Sequence, residues 1–226
     1  MAAARAPDPR RELVAYAQRM ASDGLAVGTS GNLSVRAGDD LLVTPGGVAY
    51  EAMGPDDIVR VRPDGGVLAA DARSPAPHRP TSELAMHRLA YEVSGAGAVV
   101  HTHSPYATAI ACVLDELPPV HYVLAGLGGR VPVVAYATFG SDELADGVAR
   151  GLAGRAAVLL GNHGTLTVGA DLAEAYGHAQ TLEWCAALYL RARQLGEPRL
   201  LDDGELERVA EKMRALGYLP WPGGGG

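Results

Sequence analysis

Ala98-Val99-Val100-His101-Thr102-His103-Ser104-Pro105 is the stretch from which the rest of this 226-residue chain can be read. Its apolar, β-branched start predicts a strand over 98–103. Side chains alternate between the two faces of a strand, so His101 and His103 stand side by side on one face. Ser104-Pro105 then supplies a cap and a first-turn proline for a helix at about 105–114. Two imidazoles so placed lack one more ligand to form the three-ligand base, open at a fourth position, that distinguishes catalytic zinc sites from closed structural ones. His163 ends another apolar run, in Asn162-His163-Gly164, where the glycine lets the backbone bend. The plainer alternative is three separate histidines, each with its own hydrogen bond.

Outward from that strand, the chain alternates helical and extended patterns. Leu13, Val14, Ala17 and Met20 recur at helical spacing over Arg10 to Asp23, stopped by Gly24. Leu33–Arg36 and Leu41–Thr44 read as a hairpin, and Ile58–Val61 with Val67-Leu68 as a second. Pro80-Thr81-Ser82 opens a helix running to about Val93. Val131–Ala135, Ala156–Gly161 and Thr165–Val168 read as strands, and Ser141–Leu152 as a helix. Asp171-x-x-Glu174 resembles a capping box before a long helix to about Leu195, and a last helix runs from Gly204 to about Leu216. Hairpins mixed with helices predict a layered α/β domain with a partly antiparallel sheet, rather than a doubly wound parallel one. No repeat or linker divides residues 1–226, so one domain is expected, with flexible ends at 1–9 and 221–226.

Composition narrows the function classes. Hydrophobic residues make up 48% and the net charge is −7, without a basic block. Nucleic acid and an anionic membrane surface are therefore not expected partners. No apolar run approaches the length of a membrane span, and no signal-peptide core follows Arg5, Arg10 and Arg11. A cytoplasmic location is expected. Cys112 and Cys185 lie in apolar helical stretches and read as core thiols, not as a disulfide framework. Of the 19 basic residues only Lys212 is a lysine, close to the C-terminus.

Glu83 sits near a helix start. A carboxylate there serves either as a simple cap favoured by the helix dipole, or as an acid–base group beside a metal that acidifies the substrate. Glu83 and His87, four residues apart on one helix face, form an alternative ligand pair. His78, His121 and His178 read as structural or surface residues. Gly28-Thr29-Ser30-Gly31-Asn32, Pro45-Gly46-Gly47 and Thr81-Ser82 are turns rich in backbone N–H and hydroxyl donors. Together they suit a small phosphate, and no nucleotide-binding glycine motif is present.

GTSGNLSVR (28–36), TPGG (44–47), PTSE (80–83), AVVHTH (98–103), VHY (120–122), YATFGSDEL (136–144) and NHG (162–164) resemble, in order and over roughly residues 20–200, the class II aldolase/adducin family. The resemblance implies a three-layer α/β/α fold with a mainly antiparallel central sheet. It also implies a homotetramer whose sites lie between neighbouring subunits. It implies zinc, with manganese or cobalt as alternatives, on His101, His103 and His163, with Glu83 as fourth ligand until substrate arrives. Glu83 would then be the proton donor and acceptor. Tyr122 would reach a neighbouring subunit's site and protonate an aldehyde oxygen. Thr29, Gly31, Asn32, Gly46, Gly47, Thr81 and Ser82 match phosphate-binding positions, and Phe139 matches an aromatic near the aldehyde end. The implied reaction is reversible cleavage of a ketose 1-phosphate, L-fuculose 1-phosphate or a 5-deoxypentulose 1-phosphate, to dihydroxyacetone phosphate and an aldehyde through a metal-stabilised enediolate. The lysine count agrees, because a Schiff-base aldolase needs an amine nucleophile and Lys212 is far in sequence from every motif. A pentulose-5-phosphate 4-epimerase, a pentulose-phosphate dehydratase and a non-catalytic adducin-like scaffold are the alternatives.

Overall fold

A computed structural model describes residues 8–68 and 78–218. The elements, in chain order, are α1 (Pro9–Ser22), β1 (Asn32–Ala37), β2 (Asp40–Val43), β3 (Val59–Val61), α2 (Leu84–Ser94), β4 (Ala98–Thr102), α3 (Pro105–Ala111), β5 (Glu116–Leu117), β6 (Val131–Val134), α4 (Asp142–Gly151), β7 (Ala157–Leu160), β8 (Gly164–Gly169), α5 (Leu172–Leu195) and α6 (Asp203–Ala215). They form one eight-stranded sheet in the order β3-β2-β1-β4-β8-β7-β6-β5.

The sheet corrects the sequence expectation of a mainly antiparallel arrangement on one point: it is mixed. β6 and β7 run parallel, with Val133 opposite Leu159. Helix α4 joins these two strands, and a helical crossover returns the chain in its original direction, whereas tight turns reverse it. The hairpins β1–β2 and β7–β8 are antiparallel. β5 is too short to register as an apolar run in the sequence.

β4 lies at the centre, paired antiparallel with β1 on one side and β8 on the other. All five of its residues are buried, so it reads as a continuous apolar run up to its histidine. Ala98 and Val100 enter a cluster with Leu33, Val35 and Leu42 beneath α1 and the first half of α5. Val99 faces the other way, into a larger cluster with Met86 and Ala90 of α2 and Leu144 and Val148 of α4. Burial of these apolar side chains, each worth about 1.5–3 kcal/mol, fixes β4 in the sheet. The ligand-bearing strand is therefore firmly anchored on both faces.

Several expectations shift in detail. Asp8 caps α1 through Arg10 N and Pro9 is its first residue, so the ordered chain starts earlier than expected. The remaining expected flexible stretches, 1–7 and 221–226, lie outside the described residues. Val67 makes only one bridge, to Val61. The side chain of Ser104 does not cap α3. The Glu183 carboxylate of α5 does, accepting from Tyr106 N and Ala107 N at 3.0 and 2.8 Å. Cys185 is buried as expected, with its thiol pushed up to about 12 by burial, whereas Cys112 is exposed where α3 ends. Among the described residues no helix is long and apolar enough to cross a membrane.

Candidate metal centre

The centre is assembled where three loops meet the end of β4. His101 is the fourth residue of β4 and is fully buried. Its Nδ1 donates to the Thr165 carbonyl oxygen on β8 at 2.7 Å. That bond sets the tautomer and leaves the Nε2 lone pair facing outward from the sheet. His103 lies one residue beyond the strand, and its N–H donates to the Leu25 carbonyl at 3.0 Å. The pleat keeps the two rings on one face as expected, with their Nε2 atoms 3.0 Å apart.

His163 comes from the turn joining β7 to β8. Asn162 in that turn has φ of 54°, a left-handed conformation that asparagine tolerates better than most residues. A Cβ on the following Gly164 would lie 2.2 Å from the Thr102 carbonyl oxygen. Glycine there is what lets this turn close against the end of β4 and bring the third ring in. The three ring centroids are mutually 4.8–4.9 Å apart.

Glu83 supplies the fourth group, from the N-cap of a helix that starts about one turn later than expected. Thr81 and Ser82 do not start the helix. Thr81 Oγ1 accepts from Glu83 N at 3.2 Å, a local turn that delays the first helical residue to Leu84 and leaves Glu83 as the N-cap. The segment before it is hooked to the Pro45-Gly46-Gly47 loop by Thr81 N to Thr44 O and Gly46 N to Arg79 O. The Glu83 side chain makes no cap bond. It turns inward instead, with Oε2 at 3.1 Å from His101 Nε2 and Oε1 at 3.3 Å from His163 Nε2.

These four residues offer donor atoms that all lie within 4.8 Å of one another. A tetrahedral ion at about 2.0–2.1 Å from each ligand sets neighbouring donors about 3.3–3.4 Å apart, close to the 3.0, 3.1 and 3.3 Å of the His101–His103, His101–Glu83 and His163–Glu83 pairs. Two observations favour a cation among them. Three imidazole nitrogens converge where lone pairs would otherwise repel. Glu83 Oε1 is also buried without a hydrogen-bond partner among the described residues, a costly state for a carboxylate oxygen. Borderline imidazole and carboxylate donors suit a divalent ion such as zinc.

Burial raises the Glu83 pKa, but the charge and contact of His101, the hydrogen bond from Asn32 and the charge of His163 together outweigh it, holding the carboxyl well below the usual range. His103 is pushed down to about 4, first by burial and then by its neighbours His101 and His163 against the opposing pull of Glu83. His163 is lowered by burial and His101 in the same way. Both rings are thus disposed to be neutral, the form that ligates.

A cleft of about 420 Å³ opens over this cluster, and Glu83, His103 and His163 line it. All seven expected phosphate positions, Thr29, Gly31, Asn32, Gly46, Gly47, Thr81 and Ser82, line the same cleft, joined by Tyr136 and Phe139. Tyr50 braces one wall, its hydroxyl donating to the Ser30 and Gly31 carbonyls at 2.7 and 2.8 Å. Tyr122 is not brought in. It is 52% exposed in a 3-10 turn, Tyr122–Leu127, outside the cleft lining. Lys212 is exposed on α6, away from the cleft.

Two site residues differ from their expected parts. His87 is not a ligand. It is fully buried behind the site, with Nδ1 at 2.7 Å from Ser34 Oγ and Nε2 at 2.5 Å from Asn32 Oδ1. Asn32, expected at the phosphate, donates Nδ2 to Glu83 Oε2 at 2.9 Å, so both ends of its amide are engaged. The signal for these contacts was present as two periodicities. Asn32 and Ser34 alternate on one face of β1, and Glu83, His87 and Tyr91 follow one another at four-residue spacing along α2. Of the other histidines, His78 pairs with Asp57, His121 packs edge-on to Trp184, and His178 bonds the Val168 carbonyl.

Comparison with known proteins places these residues in a family context. Residues 11–190 match the model for the class II aldolase and adducin N-terminal domain. The chain is 39% identical, over 92% of its length and 96% of the relative's, to 5-deoxy-D-ribulose 1-phosphate aldolase of Bacillus thuringiensis serovar kurstaki. It is 40% identical to the 5-methylthioribulose-1-phosphate/5-deoxyribulose-1-phosphate aldolase of Rhodospirillum rubrum, over 94% of this chain and 96% of that one. Among solved structures, an L-fuculose 1-phosphate aldolase superposes with a TM-score of 0.86 at 36% identity, covering 93% of this chain and 98% of its own.

Proposed function

The chain belongs to the class II aldolase and adducin family, and from that premise we propose that it is a metal-dependent aldolase cleaving a 5-deoxypentulose 1-phosphate or L-fuculose 1-phosphate to dihydroxyacetone phosphate and an aldehyde. The observation that carries the reading is the meeting of two sets of groups in one cleft. His103, His163 and Glu83 line its floor over His101, and the donor-rich loops of Gly46-Gly47 and Thr81-Ser82 line its wall.

His101, His103 and His163, with Glu83 until substrate arrives, would hold a divalent ion, zinc being the first candidate, and that ion would supply Lewis acidity towards the substrate carbonyl. The chain's own groups do the rest. The loop amides of Gly46 and Gly47 and the hydroxyls of Thr29, Thr81 and Ser82 hold the phosphate and so orient the sugar. Glu83 returns a proton to C3 after the C3–C4 bond breaks, and removes it in the synthetic direction. With Lys212 remote and exposed, no amine is in place for Schiff-base chemistry.

Tyr136 and Phe139 are exposed aromatics at the cleft. They suit an apolar end on the aldehyde, such as the methyl of a 5-deoxy sugar. Tyr122, exposed and outside its own cleft, fits a role in the site of a neighbouring copy in a homotetramer. Tyr122→Phe is then expected to slow cleavage while leaving phosphate binding intact, and the protein to sediment as a tetramer.

Product analysis tests the reaction class. Incubation with 5-deoxyribulose 1-phosphate or L-fuculose 1-phosphate is expected to release free dihydroxyacetone phosphate. A 4-epimerase would instead return an inverted pentulose 5-phosphate and no free triose phosphate.

A further inference from the structure

Behind Glu83 runs an unbroken chain of buried polar groups whose direction follows from its first member. Asn32 and His101 are opposite each other on paired strands β1 and β4, so both face α2. Ser34 lies two residues further along the same face of β1. Along α2, Glu83, His87 and Tyr91 follow at one-turn intervals. The two rows mesh: Asn32 Nδ2 meets Glu83 Oε2 at 2.9 Å, Asn32 Oδ1 meets His87 Nε2 at 2.5 Å, His87 Nδ1 meets Ser34 Oγ at 2.7 Å, and Ser34 Oγ meets Tyr91 OH at 2.8 Å. Asn32, Ser34, His87 and Tyr91 are each at most 5% exposed.

An ionised carboxylate only accepts hydrogen bonds, so Asn32 must present its NH₂ to Glu83 and its oxygen to His87. His87 then carries its proton on Nε2, Ser34 donates to Nδ1, and Tyr91 donates to Ser34. Every donor in the chain has one acceptor, and the row ends on one oxygen of Glu83.

We propose that Asn32, His87, Ser34 and Tyr91 are positioning residues that hold Glu83 Oε2 as a fixed acceptor and leave Oε1 as the oxygen that exchanges a proton with the substrate carbon. Oε1 has no hydrogen-bond partner among the described residues and faces only the His163 ring, whose Nε2 is at 3.3 Å. In the synthetic direction the C3–H bond breaks, its electron pair stays with the carbon framework and its proton passes to Oε1; cleavage runs the same transfer in reverse. The asymmetry keeps the carboxylate from rotating between the two roles, a preorganisation that a lone glutamate at a helix start would lack. The assignment of Oε1 rests on the aldolase reading above, whereas the direction of the chain does not.

Two measurements test it. Nitrogen-15 NMR of the histidine rings in the zinc-loaded protein, with His87 assigned from the spectra of Ser34→Ala and His87→Gln, is expected to show a neutral His87 with its proton on Nε2. A proton on Nδ1, or a charged ring at neutral pH, overturns the proposal whatever reaction the protein catalyses. In Asn32→Asp and Asn32→Ala, kcat for triose-phosphate release is expected to fall by about 10- to 100-fold while inhibition by inorganic phosphate is unchanged. Weakened phosphate inhibition with kcat retained makes Asn32 an anion contact and overturns it. If the wild-type protein cleaves neither sugar phosphate, the functional reading falls and the ring spectrum still decides the direction of the chain.

Discussion

His101 donates its Nδ1–H to the carbonyl oxygen of Thr165, at 2.7 Å across the paired strands β4 and β8. The acceptor is backbone, held by the sheet itself, so the ring's orientation is as rigid as the fold. Loss of an outer partner of a metal-bound histidine typically weakens metal affinity about 10- to 100-fold. Loss of the ring itself is expected to exceed that. His101→Asn should therefore purify with little metal and regain little on zinc titration, measured by elemental analysis. Wild-type occupancy would move the metal elsewhere.

Glu83→Gln is expected to keep its metal, because the three imidazoles remain, and to lose most turnover. General acid–base groups contribute about 10²- to 10⁴-fold, which sets the expected loss. Unchanged turnover would remove Glu83 from the chemistry.

The folded state should lose stability in mild acid, and the sign follows from the histidines. His87 is pushed down to about 3, first by burial and by the charge of His101, against the opposing charge of Glu83. His103 is lowered to about 4. Below the ordinary histidine pKa of 6.5 the unfolded chain binds protons that the folded one refuses. Stability is complete above that value and declines as pH falls towards the folded values. Denaturant titrations from pH 7.5 to 4 are expected to show this fall, with a shallower slope in His87→Gln. A flat profile would contradict the buried neutral assignment.

How much of this was legible in the sequence depended on how local each signal was. His101 and His103 were readable because strand alternation is a two-residue rule, and the geometry of the pair followed from it. His163 needed only a recognisable turn. The β1–β2 and β7–β8 hairpins and the long helices were equally plain. Glu83 was found but misplaced, because Thr81-Ser82 looks like a cap and the Thr81 hydroxyl in fact binds the Glu83 N–H outside the helix. Asn32 was expected at the phosphate, and His87 stayed open as an alternative ligand, because the partners that occupy them lie 51 and 55 residues away in sequence. Which strand faces which helix is a property of the sheet order, and no local period reports it. The parallel pairing of β6 with β7 escaped for the same reason.

Gly31 is the tightest point of the donor-rich loop. Its φ is +82°, and a Cβ there would lie 2.8 Å from the His101 carbonyl oxygen. Both strain and crowding act on the residue that carries the first ligand. Gly31→Ala is expected to cost about 1–3 kcal/mol of stability and to weaken metal retention, measured by thermal unfolding with and without zinc. An unchanged melting temperature would show that the loop relaxes freely.

The most direct test of the central claim is release of dihydroxyacetone phosphate from 5-deoxyribulose 1-phosphate and L-fuculose 1-phosphate, with and without a chelator and after zinc is restored. Release that stops with the chelator and returns with zinc is the expected result, since cleavage needs the ion that His101, His103, His163 and Glu83 are arranged to hold. Release that continues unchanged in the metal-free protein, or none from either sugar by the zinc-loaded protein, would contradict it.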